Sequence, residues 1–211
     1  MTEILVSKES LTESNCYLIA EEDQVLVIDP NEEQIVEILK KKGWTPEYVI
    51  LTNEHCDHMQ GLNWLRENYN IKLIAQEECS KNLANKVKNM SGIMETYLYF
   101  KNGEKEIISY APIVCDPAEI TFEREYRFFW RGHEFHLQSL PGHTEGSCGI
   151  WMDRECLFSG DYLIPGEEDL TGFPGGSEED YKRYVKPWIA KIGKGVHIYP
   201  GHGADYKMGE R

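Results

Sequence analysis

Across 211 residues the chain carries 22 lysines and arginines against 36 aspartates and glutamates, a formal net charge of −14, and 41% of it is hydrophobic. That size and apolar content suit a single domain with its own core. A carboxylate excess with no basic run excludes a nucleic-acid partner and an anionic membrane surface, both of which demand clustered cations, and no apolar run approaches the ~20 residues of a membrane helix.

In chain order, Ile4 to Ser7, Ser14 to Ala20 and Gln24 to Asp29 predict three short strands joined by polar turns, an antiparallel start. Asp29, before Pro30, serves either as a strand-end turn former or as an acceptor behind a later loop. Glu32 to Lys42 has apolar residues at Ile35, Ile38 and Leu39, a helical spacing, with Gly43 as its C-cap. Tyr48 to Leu51 is a buried strand. Leu62, Trp64 and Leu65 begin a helix that runs to Asn68, and Ile71 to Ala75 is the next strand. This alternation is the sign of an α/β layer architecture.

The segment 77–122 breaks the pattern. It holds a polar helix over Lys81 to Lys88, then Tyr97, Tyr99 and Phe100, then charged residues and Ala111-Pro112. It reads as an insertion or lid packed near the loop that follows Leu51, or as a surface or homodimer contact. Beyond it, Arg127 to Trp130 and Glu134 to Leu140 form a hairpin turning at Arg131-Gly132-His133. Gly149 to Asp153 and Cys156 to Ser159 form another strand pair. Tyr181 to Ile192 is a helix that Pro187 kinks or splits, and Val196 to Tyr199 is a last strand. His133 falls on a turn, His136 on an exposed face and His197 inside a strand, so none is read as a ligand. Met1-Thr2-Glu3 lacks the basic and apolar regions of a secretory leader. The six cysteines form no Cys-x-x-Cys pair and read as reduced thiols. A cytoplasmic location is the expectation.

The residues that carry chemistry cluster between Tyr48–Leu51 and Leu62. Asn53-Glu54-His55-Cys56-Asp57-His58 packs imidazoles and a carboxylate onto the turn from a strand end to a helix start, where open α/β sheets place ligands. Imidazole nitrogen and carboxylate oxygen are ordinary donors to zinc or iron. Cys56, between two donors, reads as a small side chain turned away from them.

This run resembles the His-x-His-x-Asp-His motif of the metallo-β-lactamase superfamily, with asparagine in place of the first histidine. Three further segments resemble the family's remaining ligand positions in the same order: Pro141-Gly142-His143-Thr144-Glu145-Gly146-Ser147, Phe158-Ser159-Gly160-Asp161 and Tyr199-Pro200-Gly201-His202-Gly203. The strands around Ser14 to Ile19 and Val25 to Asp29 are similar to the family's opening. The resemblance implies one domain over 1–211, a four-layer αβ/βα sandwich of the metallo-β-lactamase type. It implies one or two divalent metal ions, zinc first, with iron or manganese as alternatives. One site would take Asn53, His55 and His143, the other Asp57, His58 and His202, with Asp161 between them. An amide oxygen is a weaker donor than imidazole, so the second site is expected to be the tighter.

The activity implied is that of a metallo-hydrolase in which a metal-activated hydroxide attacks an ester, thioester, lactone or similar small substrate, with Asp57 as the catalytic proton acceptor. Tyr162, next to Asp161, is a candidate for reaching substrate, and Thr144 and Ser147 read as turn residues. The alternatives are an iron-dependent oxidoreductase of the same fold, sulfur dioxygenase-like, and a non-catalytic binding protein with a degraded site. The acidic composition weighs against nuclease action. The diiron oxygen-reducing subgroup carries a glutamate two residues after its first histidine, where this chain has His55 two residues after Asn53, which weighs against that activity.

Overall fold

A computed structural model describes residues 2–167 and 171–210. Met1, on which the reading of the chain start partly rests, lies outside them.

The described residues form two six-stranded sheets. The first runs in the order β1 (Glu3–Lys8), β2 (Asn15–Glu21), β3 (Gln24–Ile28), β4 (Thr45–Ile50), β5 (Lys72–Gln76) and β6 (Ile120–Phe122). Its opening is antiparallel, as the polar turns predict, and from β3 onward the strands are parallel. The second sheet runs β12 (Tyr206–Lys207), β11 (His197–Pro200), β10 (Cys156–Gly160), β9 (Cys148–Met152), β8 (His133–Ser139) and β7 (Glu125–Trp130). Only its β10–β11 pair is parallel.

The sheets pack face to face. Tyr17, Ile19, Leu26, Ile28, Ile50 and Ile74 from the first meet Phe135, Leu137, Ile150 and Phe158 from the second. Tyr17 sits edge-on to Phe158 at 5.2 Å, and Phe158 stacks on Tyr199 at 4.9 Å. The outer face of the first sheet is covered by α1 (Gln34–Lys42), α3 (Leu62–Asn68) and α4 (Glu77–Asn82), through Ile35, Leu39, Leu62, Leu65 and Cys79. Strands buried on both faces read as continuous apolar runs, as β2 and β3 do. Outside the second sheet, Tyr181, Val185 and Trp188 pack with Leu140 and Tyr162. This is the four-layer αβ/βα sandwich the sequence implied.

The structure amends several details. Gly43 ends α1 in the left-handed region at φ 70°, as the C-cap reading requires. Pro187 does not split its helix; the distortion falls in the turn before it. The segment runs through Glu178–Asp180, a π-helical stretch Tyr181–Val185, and Lys186–Ile189. The wider turn absorbs the missing N–H of proline. Lys81 to Lys88 is helical only to Asn82 and continues as turns. Both ends of the 77–122 segment belong to the first sheet's layer, through α4 and β6, and its middle carries α5 (Met94–Lys101). His133 is the first residue of β8, paired with Trp130, because the two-residue turn Arg131-Gly132 closes the hairpin with positive φ at both positions. No helix among the described residues is long and apolar enough to cross a membrane.

Candidate metal centre

Every chemical residue of the sequence motifs sits just past a strand's carboxyl end. β4 delivers 53–58, β8 delivers His143, β10 delivers Asp161 and β11 delivers His202. Two sheets therefore aim their loops at one edge. They are tied together there by direct hydrogen bonds. Cys148 N donates to Thr52 O at 2.7 Å, joining β9 to the loop after β4. Asn15 Nδ2 donates to Pro200 O and Gly203 O at 3.0 and 2.9 Å, and Tyr17 Oη donates to Pro200 O at 2.6 Å. Within the first sheet's own loops, Ser14 Oγ donates to Asp57 O at 2.8 Å.

The donor atoms fall into two sets, His55, His143 and Asp161, and Asp57, His58 and His202, each within 4.8 Å of one another. Asp161 connects them. Its Oδ2 lies 2.9 Å from His143 Nε2, and its Oδ1 lies 3.2 Å from His58 Nε2 and 3.5 Å from His202 Nε2. His202 Nε2 is 3.4 Å from Asp57 Oδ2. His55 Nδ1 and His143 Nε2 face each other at 2.9 Å.

These residues fit a divalent cation. His58 Nε2 and Asp161 Oδ1 are out of water and, though 3.2 Å apart, form no well-aligned hydrogen bond among the described residues. Buried polar atoms are rarely left so, and two such atoms on opposing sheets, among imidazoles and carboxylates, are the donor chemistry of zinc, iron or manganese. The electrostatics agree. Burial lowers the His55 imidazole to about 3, and the neighbouring His143 ring adds to this, so His55 holds a free lone pair. Burial alone would raise the Asp161 carboxyl, but His58, His143 and His202 together hold it well below its ordinary value. Burial would likewise raise Asp57, and His58 and His202 outweigh it.

Asp29 resolves as the acceptor behind the loop. Its Oδ1 accepts from Thr52 N at 2.7 Å, and its Oδ2 accepts from Thr52 Oγ1 at 2.6 Å and meets His58 Nδ1 at 3.0 Å. That contact fixes which nitrogen His58 turns to the centre. Asn53 is buried, its Oδ1 accepting from His55 N at 2.9 Å and its Nδ2 reaching Thr52 Oγ1 at 3.4 Å. It closes the loop on itself. Cys56 does turn away, but because it opens α2 (Cys56–Met59) and packs on Met90, Met94 and Leu98. Tyr162 is not a substrate contact. Its buried hydroxyl accepts from His143 N at 2.8 Å and donates to Leu140 O at 2.7 Å.

Sequence reading missed Glu54. It is fully buried, accepting from Thr144 Oγ1 at 2.7 Å and Asn82 Nδ2 at 3.1 Å. Burial raises its carboxyl despite those bonds. Thr144 and Ser147 are thus more than turn residues, since Thr144 N also donates to Ser147 Oγ at 3.0 Å and the pair holds the His143 loop on Glu54. His133, His136 and His197 pair instead with Asp153, Glu125 and Asp205, away from the centre.

His55, Asp57, His143, Asp161 and His202 line a cavity of about 360 Å³. Met90, Met94 and Tyr97 from the 77–122 segment and Phe173 form an apolar wall. The Phe173 ring meets His143 at 5.7 Å and Tyr97 at 5.9 Å.

A family model described as the metallo-beta-lactamase superfamily matches residues 11–202. The chain is 27% identical over 198 residues to the probable metallo-hydrolase YqgX of Bacillus subtilis, covering 92% of this chain and 86% of that protein. It is 23% identical over 203 residues to the hydroxyacylglutathione hydrolase GloC of Haemophilus influenzae, covering 94% and 89%. Among solved structures, the BLEG-1 B3 metallo-beta-lactamase superposes with a TM-score of 0.83 at 21% identity, over 100% of this chain and 95% of that one. TTHA1623 in a di-iron-bound form superposes with a TM-score of 0.78 at 20% identity, over 97% and 95%.

Proposed function

We propose that this chain, which belongs to the metallo-beta-lactamase superfamily, is a metal-dependent hydrolase of a small acyl substrate, with a thioester first and an ester or lactone as the alternatives. The observation that carries the reading is Asp161, one oxygen facing each of two donor sets at the floor of a cavity with an apolar wall. The name of the Haemophilus influenzae relative supports the thioester choice.

A divalent cation held by these residues supplies Lewis acidity toward a carbonyl and toward water at neutral pH. The chain supplies the rest. His55, His143 and Asp161 would hold one position; Asp57, His58 and His202, with Asp161, would hold the other. Asp57, with only 14% of its side chain exposed, lies 3.4 Å from His202 Nε2 and faces the cavity. It takes the proton from the attacking water. Met94, Tyr97 and Phe173 exclude solvent around the acyl group, which strengthens each polar interaction beneath them. Cys56 turns away, so no thiolate selects the metal, and the set suits zinc, manganese or iron.

The test is metal analysis of the purified protein beside a panel of an acyl thioester, a lactone, an aryl ester and a phosphodiester. Turnover of an acyl substrate, lost with a chelator, restored by metal and reduced at least about a hundredfold by Asp57→Asn, is expected. A metal-loaded protein that turns over none of them refutes it. One observation favours a second reading. His55, His143 and Asp161 form a two-histidine, one-carboxylate set suited to iron, and one structural neighbour holds two irons. Iron as purified, with oxygen uptake on a thiol substrate, would replace the hydrolase by an oxidoreductase.

A further inference from the structure

A second cavity, of about 530 Å³, opens on the outer face of the second sheet, between β7, β8, β9 and the connection into β11. None of its lining residues belongs to the metal centre. Two half-buried indoles form its floor. Trp151 and Trp188 lie 6.2 Å apart at 71°, and both Nε1 atoms donate to Gln138 Oε1, at 3.2 and 3.1 Å. The rings are held rigidly. Trp188 rests on Gly149, where an added Cβ would come within 2.9 Å of the indole.

The rim is cationic in an acidic chain. Arg127, Arg154 and Lys191 border the cavity, and Glu134 is the only carboxylate among its lining residues. Arg127 pairs with Glu134 at 3.3 Å and approaches Glu125 at 3.9 Å, and Glu125 also meets His136 at 2.8 Å, so Arg154 and Lys191 carry the local excess. Over the whole sequence carboxylates outnumber cations by 36 to 22, so this local excess runs against the composition. Arg154 is presented from a tight turn at φ 60°, a backbone conformation that favours glycine or asparagine.

We propose that this cavity binds a nucleoside diphosphate or triphosphate, the base against Trp151 and Trp188 and the phosphates on Arg154, Lys191 and Arg127. The chemistry requires both halves. Preset aromatic surface packs a planar base at little entropic cost. Guanidinium forks match phosphate oxygens in pairs. The volume lies within the range of small-ligand pockets. The proposal is independent of the substrate at the metal centre.

The test is calorimetric titration of the purified protein with ADP in the absence of added divalent metal, read in parallel by tryptophan fluorescence. Saturable binding below millimolar is expected, weakened at least tenfold by Arg154→Ala combined with Lys191→Ala. Adenosine alone and inorganic tripolyphosphate alone should each bind at least tenfold more weakly than ADP. The substitutions lie on exposed positions, and metal content and thermal unfolding should be unchanged in the variant. No saturable ADP binding overturns the proposal. So does binding that the double substitution leaves intact, which would put the phosphates elsewhere, or tripolyphosphate binding as tight as ADP.

Discussion

Removing His143 and removing His202 should have unequal consequences for metal content. The two donor sets differ in two ways. Asp57 adds a carboxylate to the His58–His202 set, whereas the position that would match it, Asn53, spends its Oδ1 on His55 N. His58 Nδ1 is backed by Asp29 at 3.0 Å, while His55 Nε2 is buried without a partner among the described residues. Backing of this kind is worth roughly 10- to 100-fold in metal affinity, about 1.4–2.7 kcal/mol. The extra carboxylate adds to it, because an anionic oxygen attracts a dication more strongly than a neutral donor in a low-dielectric site. The His58 set should therefore bind at least about a hundredfold more tightly. After dialysis against a weak chelator, His143→Ala should keep about one equivalent of metal, and His202→Ala should keep little. Elemental analysis after dialysis reads this directly, with circular dichroism to confirm folding. Equal losses in the two variants, or more metal in His202→Ala, would refute the asymmetry.

Gly201→Ala should empty the centre without deleting a donor, because the added methyl would fall 2.4 Å from Asp161 Oδ1 and 2.8 Å from His58 Cε1; unchanged metal content would count against the packing described. Glu54→Ala strands the buried donors of Thr144 and Asn82, and should cost about 2–5 kcal/mol in denaturant unfolding, with Glu54→Gln costing less. Phe173→Ala removes the ring that touches His143 and Tyr97, and should raise KM for an apolar acyl substrate roughly tenfold with a smaller change in kcat. For His133, burial lowers the imidazole, but its bonds to Asp153 and Glu21 outweigh that and raise it. A raised value means the stabilisation is full below the unfolded value near 6.5 and fades as pH rises through the folded value. His133→Gln should therefore destabilise more at pH 6 than at pH 9 in thermal melts, and a reversed order would contradict the pairing.

The layer architecture was legible because its signals are local. Continuous apolar runs mark β2 and β3, a helical spacing and Gly43 mark α1, and a turn bounded by β-rich runs marks the β7–β8 hairpin. What escaped notice depends on partners distant in sequence. Strand β6 is three residues long and exists because β5 offers it a parallel edge. The end of helical structure at Asn82 is set by tertiary packing, since the sequence beyond it has no breaker until Gly92. Pro187 signals a break, and only the π-helical stretch before it shows how the backbone avoids one.

The centre divides along the same line. Donors that stand in short motifs could be read one segment at a time, because each motif's spacing is fixed by a single strand end. Their supports could not. Asp29 stands in sequence between a turn former and an acceptor, and Glu54 carries no signal at all; the choice and the role are decided only when Thr52 and His58 reach back from β4 and Thr144 crosses from the other sheet. Tyr162 stays open in sequence for the same reason: adjacency to Asp161 makes it a candidate for the cavity, and only the turn after β10 shows its hydroxyl passing under the His143 loop. The sandwich thus places donors by local chain geometry and fixes their direction by contacts between sheets. A substitution at a support such as Asp29 should weaken metal binding as a lost ligand does, while leaving every donor in place.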